Sequence, residues 1–334
     1  MPAAVSAWVL TDGKAGDEQQ CLGVAEALGL APELRRVKPR APFTWLMPWG
    51  AIDPREAPSQ PESPIAPPFP DLAIASGRRA VPYLRAVKRA SGGGTFTVFL
   101  KDPRSGPRAA DLIWCPSYDR LRGDNVVTTL TSPHRISPGR LAGARARPDP
   151  RLAGLPAPRV AVLVGGDSPH YRWLPEDVAR FAAGLAALAA DGAALMGTLS
   201  RRTRQSDPML QRAVEQVFDA HRGFLWDGTG DNPYLHLLAL ADAIVVSADS
   251  VNMLSEAAAT GRAVLVFRPS WRRGRRPRYH DLIEGLEREG AVKPFSGRLE
   301  RSSYHPIDST PLIAEAIASA LARHRLARGL PQPA

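Results

Sequence analysis

"AIVVSADSVNMLSEAAATGRAVLVF", residues 243–267, is a strand, a helix and a second strand in one stretch. The strand 243–247 opens as a short run of four apolar residues, as a strand covered on both faces must. Ser247-Ala248-Asp249-Ser250 interrupts it, a helix over 250–260 follows, and 263–267 is a second apolar run. Strands joined through a helix lie parallel, because the helix returns the chain to the end where the first strand began. The junction also offers chemistry. Ser250 would cap the helix and leave further N–H groups facing a phosphate. Glu256, nearly two turns on, would either accept hydrogen bonds from ribose or sugar hydroxyls or face solvent. Its apolar neighbours Leu254, Ala257 and Ala258 weigh against solvent.

The same alternation runs outward. Strands over 159–164, 193–196 and 224–226, with helices over 175–190, 207–220 and 233–240, precede the unit, and a helix over 280–288 follows it. In the first half, strands over 5–10, 71–75, 95–100, 111–115 and 125–129 accompany helices over 17–28 and 78–90. The expected class is α/β, with two Rossmann-like domains facing a cleft. Residues 39–70 carry prolines at Pro39, Pro42, Pro48, Pro54, Pro58, Pro61, Pro64, Pro67, Pro68 and Pro70. That excludes regular helix or central strand and predicts an irregular surface excursion. "PGRLAGARARPDPRLAGLPAP", 138–158, has no periodicity and reads as the connector. The domains are expected at 1–145 and 155–305, with an amphipathic helix over 309–328.

Each half opens with a strand that runs into a small-residue turn. In "VLVGGDSPHYRW", 162–173, the turn holds Gly165 and Gly166, followed by His170. His170 would act as an acid/base or phosphate donor, or be an ordinary surface residue. In "WVLTDGKAGDEQQCLGVAEALGL", 8–30, the turn is Asp12-Gly13-Lys14-Ala15-Gly16-Asp17. Its glycine spacing is neither that of a Walker A loop nor G-x-G-x-x-G. It either holds an anion with help from Lys14, or merely connects, with Gly16 turning the chain and Asp17 capping the helix. "MGTLSRRTRQSDPML", 196–210, places Ser200, Arg201, Arg202 and Thr203 beyond a strand, which suits a pyrophosphate or a solvated basic loop. "FRPSWRRGRRPRYH", 267–280, gathers Arg268, Arg272, Arg273, Arg275, Arg276 and Arg278 beside Trp271 and Tyr279. With the basic helix in 76–94, this cluster would meet phosphates or anionic lipid, or simply be solvated.

Composition narrows the class without choosing a partner. The 334 residues are 44% hydrophobic and 23% charged, enough for a sizeable core, and the formal net charge is +10. A basic surface fits nucleic acid, an anionic membrane or phosphorylated small molecules alike. No apolar run has the length of a membrane span. The opening MPAAVSAWVL reads as a first strand rather than a signal peptide. Cys21 and Cys115 have neither disulfide-framework nor metal spacing, so a reducing cytoplasm is expected.

LTDGKAGDEQQ, ASGRRAVPYLRAVKR, VGGDSPHYRW, TLSRRT and ADSVNMLSEAAATGRAVLVF together resemble the bacterial relatives of the plant elongated-mitochondria (mitochondrial fission) family, over about residues 6–290. Members look like GT-B glycosyltransferases, whose C-terminal domain holds most of a nucleotide-sugar donor. The resemblance implies donor contacts for Gly165, Gly166, Ser200, Arg201, Arg202, Ser250 and Glu256. It implies acceptor-side contacts for Gly13, Lys14 and Gly16. The activity so implied is an inverting, metal-independent transfer from a nucleotide-diphospho sugar, UDP-linked first, to a membrane-associated or envelope acceptor. Asp17, or failing that His170 or Asp12, would deprotonate the acceptor hydroxyl. Asp17 stands where lipid-intermediate GT-B enzymes such as the peptidoglycan GlcNAc-transferase carry a histidine. No cofactor, no metal and no nucleic-acid partner is expected. The expected place is the cytoplasm, peripheral on the inner membrane. The rival reading is a non-catalytic scaffold that recruits a protein at a membrane, as plant members are described to recruit a dynamin-type protein. A nucleotide-sugar epimerase on the same architecture is a third.

Overall fold

Apolar runs become strands wherever both of their faces can be covered. The computed structural model describes residues 5–272 and 280–330, and the chain divides into two compact units. One unit runs to Arg135 and takes up the chain again from Ser309; the other is Ile136–Asp308.

The first unit contains β1 (Ala7–Thr11), α1 (Ala15–Ala27), β2 (Glu33–Arg36), α2 (Phe43–Leu46), β3 (Leu72–Ser76), α3 (Ala80–Ala90), β4 (Phe96–Leu100), β5 (Leu112–Pro116) and β6 (Val126–Thr129). The parallel sheet has the order β2-β1-β3-β4-β5-β6, with Trp8 opposite Ala73 in the β1–β3 pair. Every residue of β1, β3, β4 and β5 is buried, and the strand period of two divides them between two cores. Trp8, Leu10, Ala73 and Ala75 pack with Val81, Leu84 and Val87 of α3. Val9, Leu72, Ile74 and Trp114 pack with Val24 of α1 and with Ile313, Ile317 and Leu321 of the last helix, Thr310–Ala327. The strand ELRR of β2 was not foreseen. It is an edge strand, largely exposed, and has no apolar run to announce it.

The second unit contains α4 (Pro138–Ala146), α5 (Pro150–Ala153), β7 (Arg159–Val164), β8 (Tyr171–Arg172), α6 (Pro175–Ala190), β9 (Ala194–Leu199), α7 (Arg201–Ser206), α8 (Pro208–Ala220), β10 (Phe224–Trp226), α9 (Tyr234–Leu240), β11 (Ala243–Ser247), α10 (Val251–Ala258), β12 (Ala263–Phe267), β13 (Ser270–Trp271), α11 (His280–Arg288) and β14 (Val292–Pro294). Its six-stranded parallel sheet has the order β10-β9-β7-β11-β12-β14. Val160, Val162 and Val164 bury one face of β7 against Phe181 and Leu185 of α6 and Val214 and Phe218 of α8. The βαβ unit at 243–267 is present, with β11 and β12 paired in parallel from Ala243–Ala263 to Ser247–Phe267.

Three expectations change. The proline-rich stretch 39–70 was expected to hold no regular helix but contains the single turn of α2, and it is not superficial: Met47 and Ile65 are fully buried in the core beside α3. The stretch 138–158 is not an unstructured connector, because it forms α4 and α5. Arg145 donates to the Ala239 carbonyl at 2.8 Å, and the Asp149 N–H donates to His236 Nδ1 at 3.2 Å. Those bonds tie it to α9, so the division falls at Arg135–Ile136 rather than near 145. The helix expected at 309–328 belongs to the first unit, where Arg325 is buried and ion-paired with Asp71 at 2.6 Å.

Candidate functional site

Open parallel sheets bind ligands beyond the carboxyl ends of their strands, where the strand order reverses. In the second unit that point lies between β7 and β11. The chain leaves β7 for β9 and β10 on one side, and later builds β11, β12 and β14 on the other. The turns that follow β7, β9 and β11 carry the residues expected to hold the donor, and the structure brings most of them together.

Gly165 donates its N–H to Ser247 Oγ at 2.7 Å, and its carbonyl accepts a hydrogen bond from Ser200 Oγ. The Asp249 side chain lies directly over Gly165: a Cβ at that position would stand 2.7 Å from the Asp249 Cγ. Gly166 has φ +86°, a left-handed conformation that glycine adopts without strain, and closes against Thr203 of α7. Arg202 bridges the turns. Its guanidinium donates to Asp249 Oδ2 at 2.8 Å and to the Asp167 carbonyl at 3.2 Å. Asp249 Oδ1 is buried and accepts no hydrogen bond. Burial pushes the Asp249 carboxyl up to about 7, against the opposing pull of the Arg202 guanidinium.

Ser250 caps α10, its Oγ accepting from the Met253 N–H at 3.5 Å. Glu256 is half-buried rather than turned fully to solvent. It accepts a hydrogen bond from the Tyr234 hydroxyl at 2.5 Å, and burial pushes its carboxyl up to about 7. Ser200–Thr203 is not a loop, because Ser200 caps α7 by accepting from the Thr203 N–H at 3.3 Å. Arg201, in the first turn of α7, is exposed. His170 is exposed as well, at the start of the β8–β13 ladder, and its N–H donates to Ser168 Oγ at 3.2 Å. Of the arginine cluster in 267–280, Arg268 pairs with Glu287 at 2.6 Å and Arg272 with Asp167 at 2.9 Å. Arg273, Arg275, Arg276, Arg278 and Tyr279 lie outside the described residues. Sequence reasoning named Asp249 only as part of a turn and missed Tyr234, because neither partnership leaves a local pattern.

The first unit reverses its strand order between β1 and β3. Here α1 starts at Ala15, so Gly16 and Asp17 are helical and Asp17 is not the cap. The N-cap is Lys14, whose side chain makes no capping bond, and Gly13, at φ +85°, turns the chain. Asp12 and Asp17 converge on Gly77, the residue after β3: a Cβ there would lie 3.2 Å from Asp12 Oδ1 and 3.3 Å from Asp17 Oδ2. Each carboxylate meets a lysine. Lys14 reaches Asp12 at 3.2 Å, and Lys101, just past β4, pairs with Asp17. Asp12 Oδ1 is buried without a hydrogen bond. Lys101→Ala would leave the nearly buried Asp17 carboxylate without its cation. It is expected to lower the unfolding free energy by about 1–2 kcal/mol, less than a fully buried pair because Lys101 is partly solvated. Denaturant titration at pH 7 measures it, and an unchanged midpoint would dismiss the pair as structural.

The profile of the Mitochondrial fission ELM1 family matches residues 15–321. The chain belongs to this family. It is 28% identical over 290 residues to the Mitochondrial fission protein ELM1 of Arabidopsis thaliana, which covers 78% of this chain and 65% of that protein. It is 29% identical over 175 residues to a protein of Rickettsia prowazekii, covering 48% of this chain and 46% of that one. The chain thus spans less than two thirds of the length of either relative. Among solved structures this ELM1-family chain resembles the UDP-GlcNAc 2-epimerase of Methanocaldococcus jannaschii, at TM-score 0.51 and 9% identity over 94% of this chain and 99% of that one. It also resembles S. aureus MnaA bound to UDP, at TM-score 0.50 and 12% identity over 98% and 93% of the two chains. The two Rossmann-like sheets are those of the GT-B fold. Among the described residues, no helix of the ELM1-family chain is long and apolar enough to cross a membrane.

Proposed function

We propose that this ELM1-family chain binds a nucleotide-diphospho sugar, UDP-linked first, at the carboxyl edge of the second unit's sheet and transfers the sugar to a membrane-associated or envelope acceptor. One observation carries the reading: Gly165, Gly166, Ser200, Arg202, Asp249 and Ser250 meet where the strand order reverses, with a cation held over a close-packed glycine turn. The UDP carried by MnaA and the sugar nucleotide named in the Methanocaldococcus jannaschii epimerase are consistent with it.

In this reading the diphosphate sits at the amino end of α10 and meets Arg202 and Arg201, which stabilise it as it departs. Glu256, fixed by Tyr234, takes ribose hydroxyls. Gly13, Lys14 and Gly16 contact the acceptor. Asp17 is the first candidate for the base, and it must part from Lys101 to accept a proton; His170 and Asp12 follow. That requirement is the specific point in favour of the second reading, a scaffold that keeps the fold and recruits a protein at a membrane.

Arg202 is bound to Asp249 in the free protein, so a diphosphate must compete for it. Protonating Asp249 releases the guanidinium. Affinity for a UDP-sugar, whose phosphates are both esterified and do not titrate near neutrality, should therefore rise by about tenfold as pH falls from 8 to 6. Isothermal titration with UDP-, GDP-, ADP- and CMP-sugars checks this, and Asp249→Asn should remove the pH dependence. Glu256→Ala and Arg201→Ala should weaken binding. Free nucleotide released only when a lipid fraction is present supports transfer, and conversion of the sugar nucleotide to its epimer with the nucleotide still attached supports an epimerase. A failure of every sugar nucleotide to bind leaves the scaffold.

A further inference from the structure

One cavity of the first unit lies away from its strand-order reversal. It measures about 820 Å³ and lies at the amino edge of the first unit's sheet, between the second half of α3, the turn before β5 and the segment after α2. Arg85, Lys88 and Arg89 enter it from α3 and Arg108 from the opposite side, with Trp49 and Pro82 forming apolar wall. Basic residues in the last turn of a helix are ordinarily explained by the helix dipole. That covers Lys88 and Arg89, the basic residues of that turn. It does not cover Arg85, a turn earlier and half-buried, or Arg108, from another segment. Asp111 is the only carboxylate in the lining and is already paired with Lys88 at 2.8 Å. Three guanidinium groups therefore share a hollow without an anion to match them.

The segment that brings Trp49 to the wall is apolar where an ordinary surface would be polar. Trp45 is 75% exposed, Trp49 68% and Leu46 56%, all within five residues. The segment is pinned rather than trailing. Met47 between them is fully buried, and the Trp49 and Gly50 N–H groups bond the Leu46 carbonyl at 3.0 and 2.8 Å. Arg78 reaches the Thr44 carbonyl at 3.4 Å. Two indoles held out into water beside a cationic hollow match the water–lipid boundary, where Trp settles at headgroup depth and arginine meets phosphate. We propose that this face, residues 42–52 with α3 and Arg108, docks on an anionic phospholipid membrane. Trp45, Leu46 and Trp49 enter the interfacial layer, and a lipid phosphate occupies the hollow among Arg85, Arg89 and Arg108. The proposal holds for a transferase and for a scaffold alike.

The test is sedimentation of the full chain with vesicles of phosphatidylcholine alone or mixed with phosphatidylglycerol. A parallel titration with inorganic phosphate separates a headgroup from a free anion. Binding is expected to mixed vesicles and not to neutral ones. Trp45→Ala/Trp49→Ala should weaken it at least about tenfold, from the apolar area no longer inserted. Arg85→Gln/Arg89→Gln should weaken it about thirtyfold, the sum of two surface cations. Should the arginine variant fail to fold, brominated acyl chains should quench the tryptophan emission of the wild type and not of Trp45→Phe/Trp49→Phe. Equal binding to neutral vesicles, retained binding in the tryptophan variant, or binding of inorganic phosphate without binding of vesicles would each overturn the docking.

Discussion

Between pH 5 and pH 8 the unfolding free energy is expected to fall by about 5 kcal/mol, the reverse of the usual behaviour of acidic groups. The cause is a pair of carboxyls at the second unit's site, Asp249 buried and Glu256 half-buried. Asp249 and Glu256 both rise to about 7 in the folded chain from ordinary values of 3.8 and 4.5. Between those limits the folded protein binds more protons than the unfolded one, so each rise in pH favours unfolding, and the loss ends above the folded value. Two pH units for each group amount to about 2.7 kcal/mol apiece. Asp53, held low by Arg40, acts only in acid, below its unfolded value, and leaves this window unchanged. Urea titrations at intervals across the range measure the slope. Asp249→Asn should remove about half of it and stabilise the protein at pH 8, because Arg202 is half-exposed and can turn to water at little cost. Glu256→Gln, which still accepts from Tyr234, should remove much of the rest. A level profile in the wild type would refute the burial of both groups.

A measured loss of this size near neutrality would support the proposed ligand-binding role of the site, since residues kept at a cost to stability are commonly functional. The sequence carried the architecture because doubly buried strands spell themselves as apolar runs. AIVVS and AVLVF can be neither edge nor loop, and β7, β9, β11 and β12 appeared at or near their places. It did not carry β2, whose ELRR lies along an exposed edge, or α7, where Arg-Arg-Thr-Arg-Gln-Ser has no apolar stripe. The site divided in the same way. Turns after strands, and Ser250 as a cap, are local and were legible. Lys101 with Asp17, Arg202 with Asp249 and Tyr234 with Glu256 are pairings across 84, 47 and 22 positions. They exist only once the strands have set their turns side by side. For that reason Asp17 and Glu256 could be named as candidates while their states could not.

Gly165→Ala should both weaken the fold and empty the proposed donor site. The added methyl would fall well inside contact distance of Asp249 Oδ2 and 2.7 Å from Cγ, and the carboxylate has no room to retreat, being buried and tied to Arg202. Overpacking of this kind costs about 1–3 kcal/mol, and the shift it forces on Asp249 displaces Arg202 from the turn. UDP-sugar affinity should fall at least about tenfold, since a charged hydrogen bond to phosphate is worth about 1.5–3 kcal/mol. The backbone itself is not the obstacle, because Gly165 is not among the glycines with positive φ. The clash is therefore with one side chain and should be relieved by shortening it: Gly165→Ala/Asp249→Ala should recover most of the lost stability without recovering the pH dependence of binding. Gly139→Ala in α4 supplies the contrast, because nothing lies within 4 Å of its new methyl and helix propensity alone should stabilise by about 0.5–1 kcal/mol. If the double variant remained as weak as Gly165→Ala, the close approach of the two turns would not be what makes glycine necessary there, and the anion site built on that approach would lose its footing.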